Sequence, residues 1–486
     1  MAKPFVSGLT KVAPTIEAME LTEVLKSNTG QLRPKQIYTL VLRLCMPAIL
    51  MQLAQFAMQY IDAAMVGSLG ASASAAISVV FSSIWIAIGL GFAVTSGFSV
   101  QIAHAIGAND TVRAKQIFRE GLIINCGIAC TLSVVGICLS SRLPSLLGAD
   151  PKIWKDASAY FFIYACFMPI IQLRIFSASV LQCAGDTKTP GILNSLLCLL
   201  DVIFNYFMIF PTHDVMIGHF LLHAPGAGLG VAGAALGSVF SEAIIAIVMF
   251  LMAFKQPNLH FKFVLTKFSK SILRAAAKIS SPMAVESLTL NGAHILITCI
   301  VAPLGTVALA ADIFGFTAEQ ICFLPGFGIS IAATTLVGQA LGAHREDLAH
   351  KFAWTTVKFG SLAATMVAIA LYIFAPAVFA CLTPDEAVQK LGVTILRIEL
   401  WAEPLFAAST VIVGVLRGAK DTFGPSAVTL ICKLLVLIPL ALLLVKKHGL
   451  VGVWIAIFAD FCVRGILLLL RLRNVKSWGK CNKTIA

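Results

Sequence analysis

Charged residues are scarce in this sequence: Asp, Glu, Lys and Arg make up only 12% of its 486 residues. The sequence also contains no GxxxxGK(S/T) run, no HExxH or GxSxG pattern and no paired-cysteine motif. These absences exclude an ordinary soluble protein and argue against an enzyme or an ATP-driven machine within this chain. Hydrophobic residues instead account for 58% of the sequence, which places it in a lipid bilayer.

Apolar runs long enough to cross a hydrocarbon core about 30 Å thick recur along the whole chain. We predict twelve membrane spans, at 44–66, 77–105, 122–140, 159–184, 191–211, 228–254, 280–303, 308–338, 352–380, 391–415, 425–445 and 452–470. The polar stretches divide the chain into a tail at 1–40, a first lobe at 41–255, a basic linker at 256–278, a second lobe at 279–472 and a tail at 473–486. The fold class expected from this pattern is an all-α polytopic membrane protein.

The formal charge of +13 comes from cations that lie between the apolar runs and concentrate on one side of them. By the positive-inside rule, both termini and the basic linker are cytoplasmic, and the chain resides in the cell (inner) membrane. The first 40 residues lack a short apolar region followed by a cleavage site, so the first span is expected to act as its own insertion signal. The charge therefore reports topology, and no nucleic-acid partner is expected.

An internal duplication is visible at a constant offset of 235 residues. The matching segments are 105–114 with 340–349, 181–190 with 416–425, Pro47 with Pro282, and 69–70 with 304–305. Four matches at one offset indicate two copies of a six-span unit. Because an even number of spans returns the chain to the same side, the copies are parallel repeats related by an axis along the membrane normal. Two six-helix bundles around a central cleft are predicted.

The repeated signatures also predict local structure. Gly107 and Gly342 lie at the ends of the second and eighth spans, where a glycine suits the left-handed turn of a helix C-cap. Asp186 and Asp421 precede the next spans and are expected to cap their free N–H groups.

Three segments carry a resemblance to a known family. They are Tyr60-Ile-Asp-Ala-Ala-Met-Val-Gly-Ser-Leu-Gly70, Val337-Gly-Gln-Ala-Leu-Gly-Ala343 and Leu416-Arg-Gly-Ala-Lys-Asp-Thr422. With them, the sequence resembles the multidrug and toxic compound extrusion (MATE) family of cation-coupled efflux transporters over residues 40–470. The resemblance implies twelve helices in two bundles, a central cleft, and export of amphiphilic, often cationic compounds against an inflow of Na⁺ or H⁺.

Ionisable residues inside the apolar runs are functional candidates, since a central aspartate costs about 2.5 to 3.5 kcal/mol on insertion scales. They are Asp62, Asp201, Glu242, Glu286, Asp312, Glu319, Arg397, Glu399, Glu403 and Asp460.

A cation-coupling site in the first lobe is implied by the resemblance. In the family, the aspartate that matches Asp62 joins two polar residues on the fifth helix and a hydroxyl residue on the sixth. Asp201 and Asn205 are spaced i, i+4 and so share one helix face, and Ser238 stands at the hydroxyl position. The acid comes first and the amide second on the fifth span, unlike the family pattern, which leaves Na⁺ and H⁺ both open. No other metal or cofactor is expected.

A second ion or substrate site in the second lobe has three candidate residues, Glu286, Glu399 and Glu403. One branch of the family carries an acid eight residues after the helix-seven proline, whereas Glu286 lies four residues after Pro282. Glu399 and Glu403 are spaced i, i+4 and are predicted to form an acidic stripe that faces the cleft. The alternative is an interfacial pair of Arg397 with a glutamate.

Two functions fit the sequence. The first is a monomeric secondary antiporter that exports amphiphilic, cationic drugs or metabolites in exchange for Na⁺ or H⁺ by alternating access. The second is a flippase for a lipid-linked oligosaccharide or peptidoglycan precursor, which would need several Arg or Lys residues to bind pyrophosphate. Intramembrane cations are few, namely Arg174, Arg397, Lys433 and Arg464. The sequence therefore favours the antiporter, with a small molecule and the bilayer as its partners.

Overall fold

The computed structural model describes residues 34–217, 220–260 and 268–474. Most of both predicted tails and the middle of the predicted linker lie outside the described residues. The helices are α1 (Pro34–Gly67), α2 (Ala71–Gly107), α3 (Thr111–Ser140), α4 (Trp154–Cys183), α5 (Lys188–Ile209), α6 (Gly230–Lys255), α7 (Lys270–Val301), α8 (Thr306–Gly342), α9 (Glu346–Leu382), α10 (Glu386–Glu399), α11 (Glu403–Gly418), α12 (Phe423–Ile431) and α13 (Ile438–Asn474).

Short elements connect the long helices. Leu143–Leu146 and Pro151–Ile153 form single turns before α4, and Ala302–Leu304 forms one after α7. The antiparallel strands β1 (Pro211–Ile217) and β2 (Phe220–Ala227) form a hairpin between α5 and α6.

Helix length and hydropathy account for the predicted spans. Within the described ranges, ten helical segments are long and apolar enough to cross a membrane, and α10 with α11 forms a further span bent by 58°. One of the ten segments, Phe423–Asn474, runs for 52 residues. Gly449 breaks it with a φ of 58°, so this segment holds the last two predicted spans. The predicted all-α polytopic fold is confirmed.

The helices pack as two lobes. In the first lobe, α4 and α5 pack against α6, and in the second, α9 and α11 pack against α8. The lobes meet where α2 lies along α7 and where α1 lies along α8. These two contacts are equivalent under the sequence repeat, and the predicted cleft lies between them.

The duplication is visible in the backbone conformation as well as in the sequence. Helices α2 and α8 have 37 residues each and start and end 235 positions apart. Residues with positive φ occur in pairs with the same spacing, namely Gly70 with Gly305, Asn109 with His344, and Gly185 with Lys420. A left-handed residue at matching positions gives both copies the same turns between helices.

The helix caps agree with the sequence prediction at two positions and differ at two others. Asp186 accepts a hydrogen bond from the backbone N–H of Thr189 at 3.0 Å, and Asp421 accepts one from that of Gly424 at 3.2 Å, so the predicted capping is confirmed. The prediction that Gly107 and Gly342 adopt the left-handed C-cap conformation was wrong.

The left-handed positions after α2 and α8 belong to Asn109 and His344, with φ values of 58° and 57°. Asparagine tolerates this conformation better than most side chains do. Both preceding glycines remain helical, and their small size has a different use.

Gly107 and Gly342 let the ends of α2 and α8 touch. A Cβ atom on Gly107 would lie 2.1 Å from the carbonyl oxygen of Gln339, and one on Gly342 would lie 2.2 Å from that of His104. Because neither position has room for a side chain, only glycine permits this approach. We call the contact of these four residues the α2–α8 junction.

Two hydrogen bonds hold the α2–α8 junction to neighbouring helices. His104 Nε2 lies 2.7 Å from the carbonyl oxygen of Gly418, and Gln339 Nε2 donates to that of Cys183 at 2.8 Å. The two bonds are equivalent, since 339 − 104 and 418 − 183 both equal 235. This end of the cleft is the one that the sequence predicts to be cytoplasmic. It is therefore closed by two equivalent interactions, one from each repeat.

Candidate functional site

The predicted first-lobe residues meet in a cluster between α1 and α5. Asn205 Nδ2 donates to Asp62 Oδ1 at 2.8 Å and to Asp201 Oδ2 at 3.0 Å. Asp201 and Asn205 are fully buried, and Asp62 is half-buried. The amide thus bridges two carboxylates from different helices. We call Asp62, Asp201, Asn205 and Ser238 the first-lobe cluster.

Hydroxyl groups surround this cluster. Ser241 Oγ donates to Asp201 Oδ1 at 3.3 Å, and the Ser238 side chain lies beside the same carboxylate. On α4, the rings of Tyr160 and Tyr164 lie 5.0 Å apart, and Tyr164 lies beside Ser238. Ser241 and both tyrosines were not predicted from the sequence. Helical spacing indicates these residues, because the tyrosines are four residues apart and Ser241 follows Ser238 by three.

Two glycines on α6 set the distance between α5 and α6. A Cβ atom on Gly237 would lie 2.2 Å from Asn205 Oδ1, and one on Gly233 would lie 2.3 Å from the carbonyl oxygen of Met208. The spacing of four residues puts both glycines on one face, as in small-residue contacts of membrane helices. Gly237 therefore makes room for the amide that bridges the carboxylates.

Gly237→Ala is expected to displace Asn205 and weaken cation binding at the first-lobe cluster. Overpacking costs about 1 to 3 kcal/mol, which would correspond to a loss of affinity of about 5- to 150-fold. The measurement is the half-saturating ion concentration for dye transport in vesicles. Gly127→Ala is the matched control, because a Cβ atom there meets nothing within 4 Å. Equal ion dependence in the parent and Gly237→Ala would contradict the role assigned to this glycine.

The chemistry of the first-lobe cluster suits a small cation. Carboxylate, amide and hydroxyl oxygens are the ligands of hard cations such as Na⁺. Two carboxylates held this close in a buried site cannot both ionise cheaply, so a proton is the other candidate. Asn205 Oδ1 is buried and accepts no hydrogen bond from any described residue. Rotation of the amide would present this oxygen to an ion between the carboxylates.

A second acidic cluster lies in the second lobe. The carboxylate oxygens of Glu319, Glu399 and Glu403 come within 4.8 Å of one another, and all three residues are buried. Among the described residues, no donor reaches either oxygen of Glu399 or of Glu403. We call these residues the second-lobe cluster. Three buried acids this close require protons or a bound cation.

The predicted stripe of Glu399 and Glu403 facing the cleft was wrong. Glu399 ends α10 and Glu403 begins α11, with the 58° bend between them, so they do not share one helix face. Pro404 lies in the first turn of α11, where a missing N–H does no harm to the helix. Both glutamates are fully buried beside the cleft, and Glu319 is the cluster member that lines it.

Arg397 and Glu286 also lie apart from this cluster. The Arg397 guanidinium donates to the carbonyl oxygen of Tyr372 at 3.3 Å and lies 4.9 Å above its ring, so the alternative prediction of a pair with a glutamate was wrong. Glu286 accepts a hydrogen bond from Ser426 at 2.9 Å and lies 3.5 Å from Arg417. Glu286 therefore belongs to the wall of the cleft and not to an ion cluster.

Two further intramembrane acids have structural partners. Glu242 forms a buried ion pair with Arg174, which also donates to Asn194 at 3.0 Å. Asp312 accepts a hydrogen bond from the Trp454 indole at 2.8 Å. These contacts satisfy both carboxylates within their own lobes.

The cleft between the lobes encloses a cavity of about 750 Å³, which suits a drug-sized molecule. Its first-lobe wall consists of amide and aromatic side chains, including Gln52, Gln55, Phe56, Gln59, Phe81 and Trp85. The charged residues that line it all belong to the second lobe, namely Glu286, Glu319, Arg417, Lys433 and Arg464. A largely apolar cavity of this size, with aromatic rings and a few polar and charged side chains on its wall, can bind amphiphilic molecules.

Helix α1 connects the cavity with the first-lobe cluster. It carries Asp62 and, less than three turns earlier, the cavity-lining Gln52, Gln55 and Gln59. The Tyr60 hydroxyl on the same helix donates to a carbonyl oxygen of α8 at 3.0 Å. One helix thus contacts the first-lobe cluster, the cavity and the opposite lobe.

Comparison with known proteins agrees with this architecture. The chain matches the MatE family over residues 47–207 and 282–443, and the two segments start 282 − 47 = 235 positions apart. The probable multidrug resistance protein NorM of Thermotoga maritima is 26% identical over 446 residues, covering 90% of this chain and 93% of that protein. Multidrug resistance protein MdtK of Yersinia pestis is 25% identical over 449 residues, covering 89% and 94%.

A solved structure shows the same fold. The crystal structure of a mutant of the Vibrio cholerae MATE transporter VcmN superposes with a TM-score of 0.83 at 19% identity, covering 91% of this chain and 97% of that one. The family match itself extends through both repeats. The chain therefore belongs to the MatE family, whose members are membrane transporters and not enzymes.

Proposed function

We propose that the protein is a secondary antiporter that exports amphiphilic, positively charged drugs or metabolites in exchange for Na⁺ or H⁺. The observation that carries this proposal is the first-lobe cluster, in which Asn205 bridges Asp62 and Asp201 at 2.8 and 3.0 Å. The relatives named above are multidrug resistance proteins, which supports drug export over the flippase alternative.

Coupling follows from the position of α1. A cation between Asp62 and Asp201 removes their mutual repulsion and holds α1 against α5. A substrate in the cavity contacts Gln52, Gln55 and Gln59 of the same helix. When both ligands act on one element, each changes the affinity of the other. Export then requires that the ion and the substrate favour opposite arrangements of the lobes.

Energy for this exchange comes from the ion gradient and, where net charge crosses, from the membrane potential. One net charge that crosses the membrane yields about 2.3 kcal/mol per 100 mV, which exceeds the cost of a tenfold substrate gradient. Exchange of one monovalent cation for one singly charged cationic substrate moves no net charge, so the ion concentration gradient drives it unless a second ion enters per cycle.

The second-lobe cluster is proposed as an additional proton or cation site. Glu399 and Glu403 are fully buried without donors among the described residues, and Glu319 connects them to the cavity. The carboxyl group of Glu319 is also the proposed contact for a positively charged group of the substrate.

The experiment that tests this function uses the full chain in inverted vesicles, with ethidium as the substrate. A Na⁺ gradient and an H⁺ gradient are imposed separately, and dye uptake is followed by fluorescence. We expect one of them to drive uptake, and an ionophore that collapses the gradient to stop it. Vesicles without the protein are the control. If neither gradient drives uptake of ethidium or of any dye in a small panel, the antiport proposal fails.

A further inference from the structure

The charges on the cavity wall are unevenly distributed. The first-lobe wall contributes amides and aromatic rings, whereas Arg417, Lys433 and Arg464 of the second lobe face the cavity together with Glu286 and Glu319. Three cations thus stand against two acids. What the wall can bind depends on which of these charges a neighbouring side chain already neutralises.

Both cavity-lining acids are engaged. Glu286 lies 3.5 Å from Arg417 and accepts a hydrogen bond from Ser426, so it forms a local ion pair. Glu319 belongs to the second-lobe cluster, where three buried carboxylates must share protons or a cation. Glu319 attracts Lys433 electrostatically, but among the described residues the close ion pairs of Lys433 and Arg464 are both with Asp460.

Lys433 and Arg464 share a single acid. Lys433 Nζ lies 2.8 Å from Asp460 Oδ2, and Arg464 Nη2 lies 3.8 Å from the same oxygen. Asp460 is fully buried, and the buried Nε of Arg464 has no partner among the described residues. Two cations against one carboxylate leave one surplus positive charge at the wall.

The backbone around Lys433 is unusual. Cys432–Leu437 forms a π-helical turn between α12 and α13. Such turns insert one extra residue per turn and occur frequently at functional sites. The π-helical turn places Lys433 beside Asp460 and at the cavity wall.

Aromatic rings line the wall next to these cations. The Arg464 guanidinium lies 5.3 Å from the ring centre of Phe406 and 5.2 Å from that of Phe461, and Lys433 Nζ lies 5.6 Å from that of Phe461. Phe323 packs on Phe406 with ring centres 4.3 Å apart. All three phenylalanines line the cavity. Flat apolar surface and positive charge are thus adjacent.

We propose that Lys433 and Arg464 form a subsite for the anionic group of an aromatic amphiphile, such as a carboxylate or a sulfonate. The cations bind the anionic group through charge-assisted hydrogen bonds, and Phe323, Phe406 and Phe461 hold the ring system. The inference rests on the proposed function, because it takes the cavity as the export path. It names the residues that would select an amphiphile with an anionic group over one without it.

The test compares two dyes that differ in one charge, a rhodamine with a free carboxyl group and its alkyl ester. Binding to the purified full chain is measured by fluorescence anisotropy. Arg464→Gln removes the surplus charge and keeps the Lys433–Asp460 pair. We expect it to weaken binding of the acid about tenfold or more and to leave the ester within about twofold, since charged hydrogen bonds contribute about 1.5 to 3 kcal/mol.

Two further variants sharpen this experiment. Arg464→Lys keeps the charge and is expected to retain the preference for the acid. Arg397→Gln is the matched control, because Arg397 stacks on Tyr372 and does not line the cavity. Unchanged ester binding by each variant also reports that the protein is folded.

The outcomes separate the subsite from the antiport proposal. Equal loss of both dyes in an Arg464→Gln protein that elutes as the parent does in size-exclusion chromatography, or no loss of either dye, overturns the subsite, as does a parent protein that binds only the ester. If Arg464→Gln does not fold, Asp460→Asn gives the opposite test, since it frees a second cation and is expected to tighten acid binding. Unchanged acid binding in that variant overturns the subsite. Dyes that bind as expected but are not moved by an ion gradient contradict the antiport proposal alone.

Discussion

Asp62→Asn is expected to abolish ion-driven dye export while the protein stays folded in the membrane. The substitution keeps the size of the side chain and removes the charge that attracts a cation to α1. Without a bound ion, the ion gradient is no longer coupled to substrate movement, and its contribution of about 1.4 kcal/mol per tenfold gradient of the ion is lost. Accumulation of ethidium in inverted vesicles should fall at least about tenfold.

Asp156→Asn is the matched control for this result. Asp156 is an exposed acid in the first turn of α4, and its removal should leave export unchanged. Asp62 does not line the cavity, so purified Asp62→Asn should still bind dye, but its dye affinity should no longer depend on the coupling ion. Gradient-driven export by Asp62→Asn at the parent rate would show that the first-lobe cluster is not the coupling site.

Gly342→Val should prevent closure of the α2–α8 junction and stop transport. A Cβ atom at this position would lie 2.2 Å from the His104 carbonyl oxygen, which is backbone and cannot turn aside. The helices must then separate, and the buried Cys183 next to the junction becomes accessible. Labelling of Cys183 by a membrane-impermeant maleimide, located by mass spectrometry, should rise several-fold as transport is lost.

The control for this variant is Gly292→Val. Gly292 lies within α7, and a Cβ atom there meets nothing within 4 Å. It should transport dye and protect Cys183 as the parent does. Protection of Cys183 in Gly342→Val, together with normal transport, would mean that the junction tolerates a side chain and is not a tight closure.

The helices could be predicted because apolar runs and loop cations are properties of local sequence. The duplication was visible for the same reason, since turns between helices repeat at 235 residues. The role of Gly107 could not be predicted from local pattern. A glycine near a helix end suits a left-handed turn, yet here its use is decided by Gln339 of the other lobe, 2.1 Å from where its Cβ would be.

The first-lobe cluster could be predicted from the sequence because helical spacing and the family resemblance indicated the same residues. Asp201 and Asn205 share a helix face by their spacing alone, and the motif around Asp62 supplied the third member. The second-lobe cluster could not be predicted in this way. Glu319 lies 80 residues before Glu399, on a different helix, so periodicity within one helix could not join them. Glu399 and Glu403 do lie close together, but the bend between α10 and α11 puts them on two helices, so their spacing does not describe a face of one helix.

The α2–α8 junction has the geometry of a two-fold dimer interface contained in one chain. His104 contacts Gly418, and its counterpart Gln339 contacts Cys183, the counterpart of Gly418. In such an isologous contact, each half supplies the same donor position and the same acceptor position. Both acceptors are backbone carbonyl groups, which accept from an imidazole or from an amide. The two halves could therefore diverge at the donor, to histidine in one and glutamine in the other, without losing either bond.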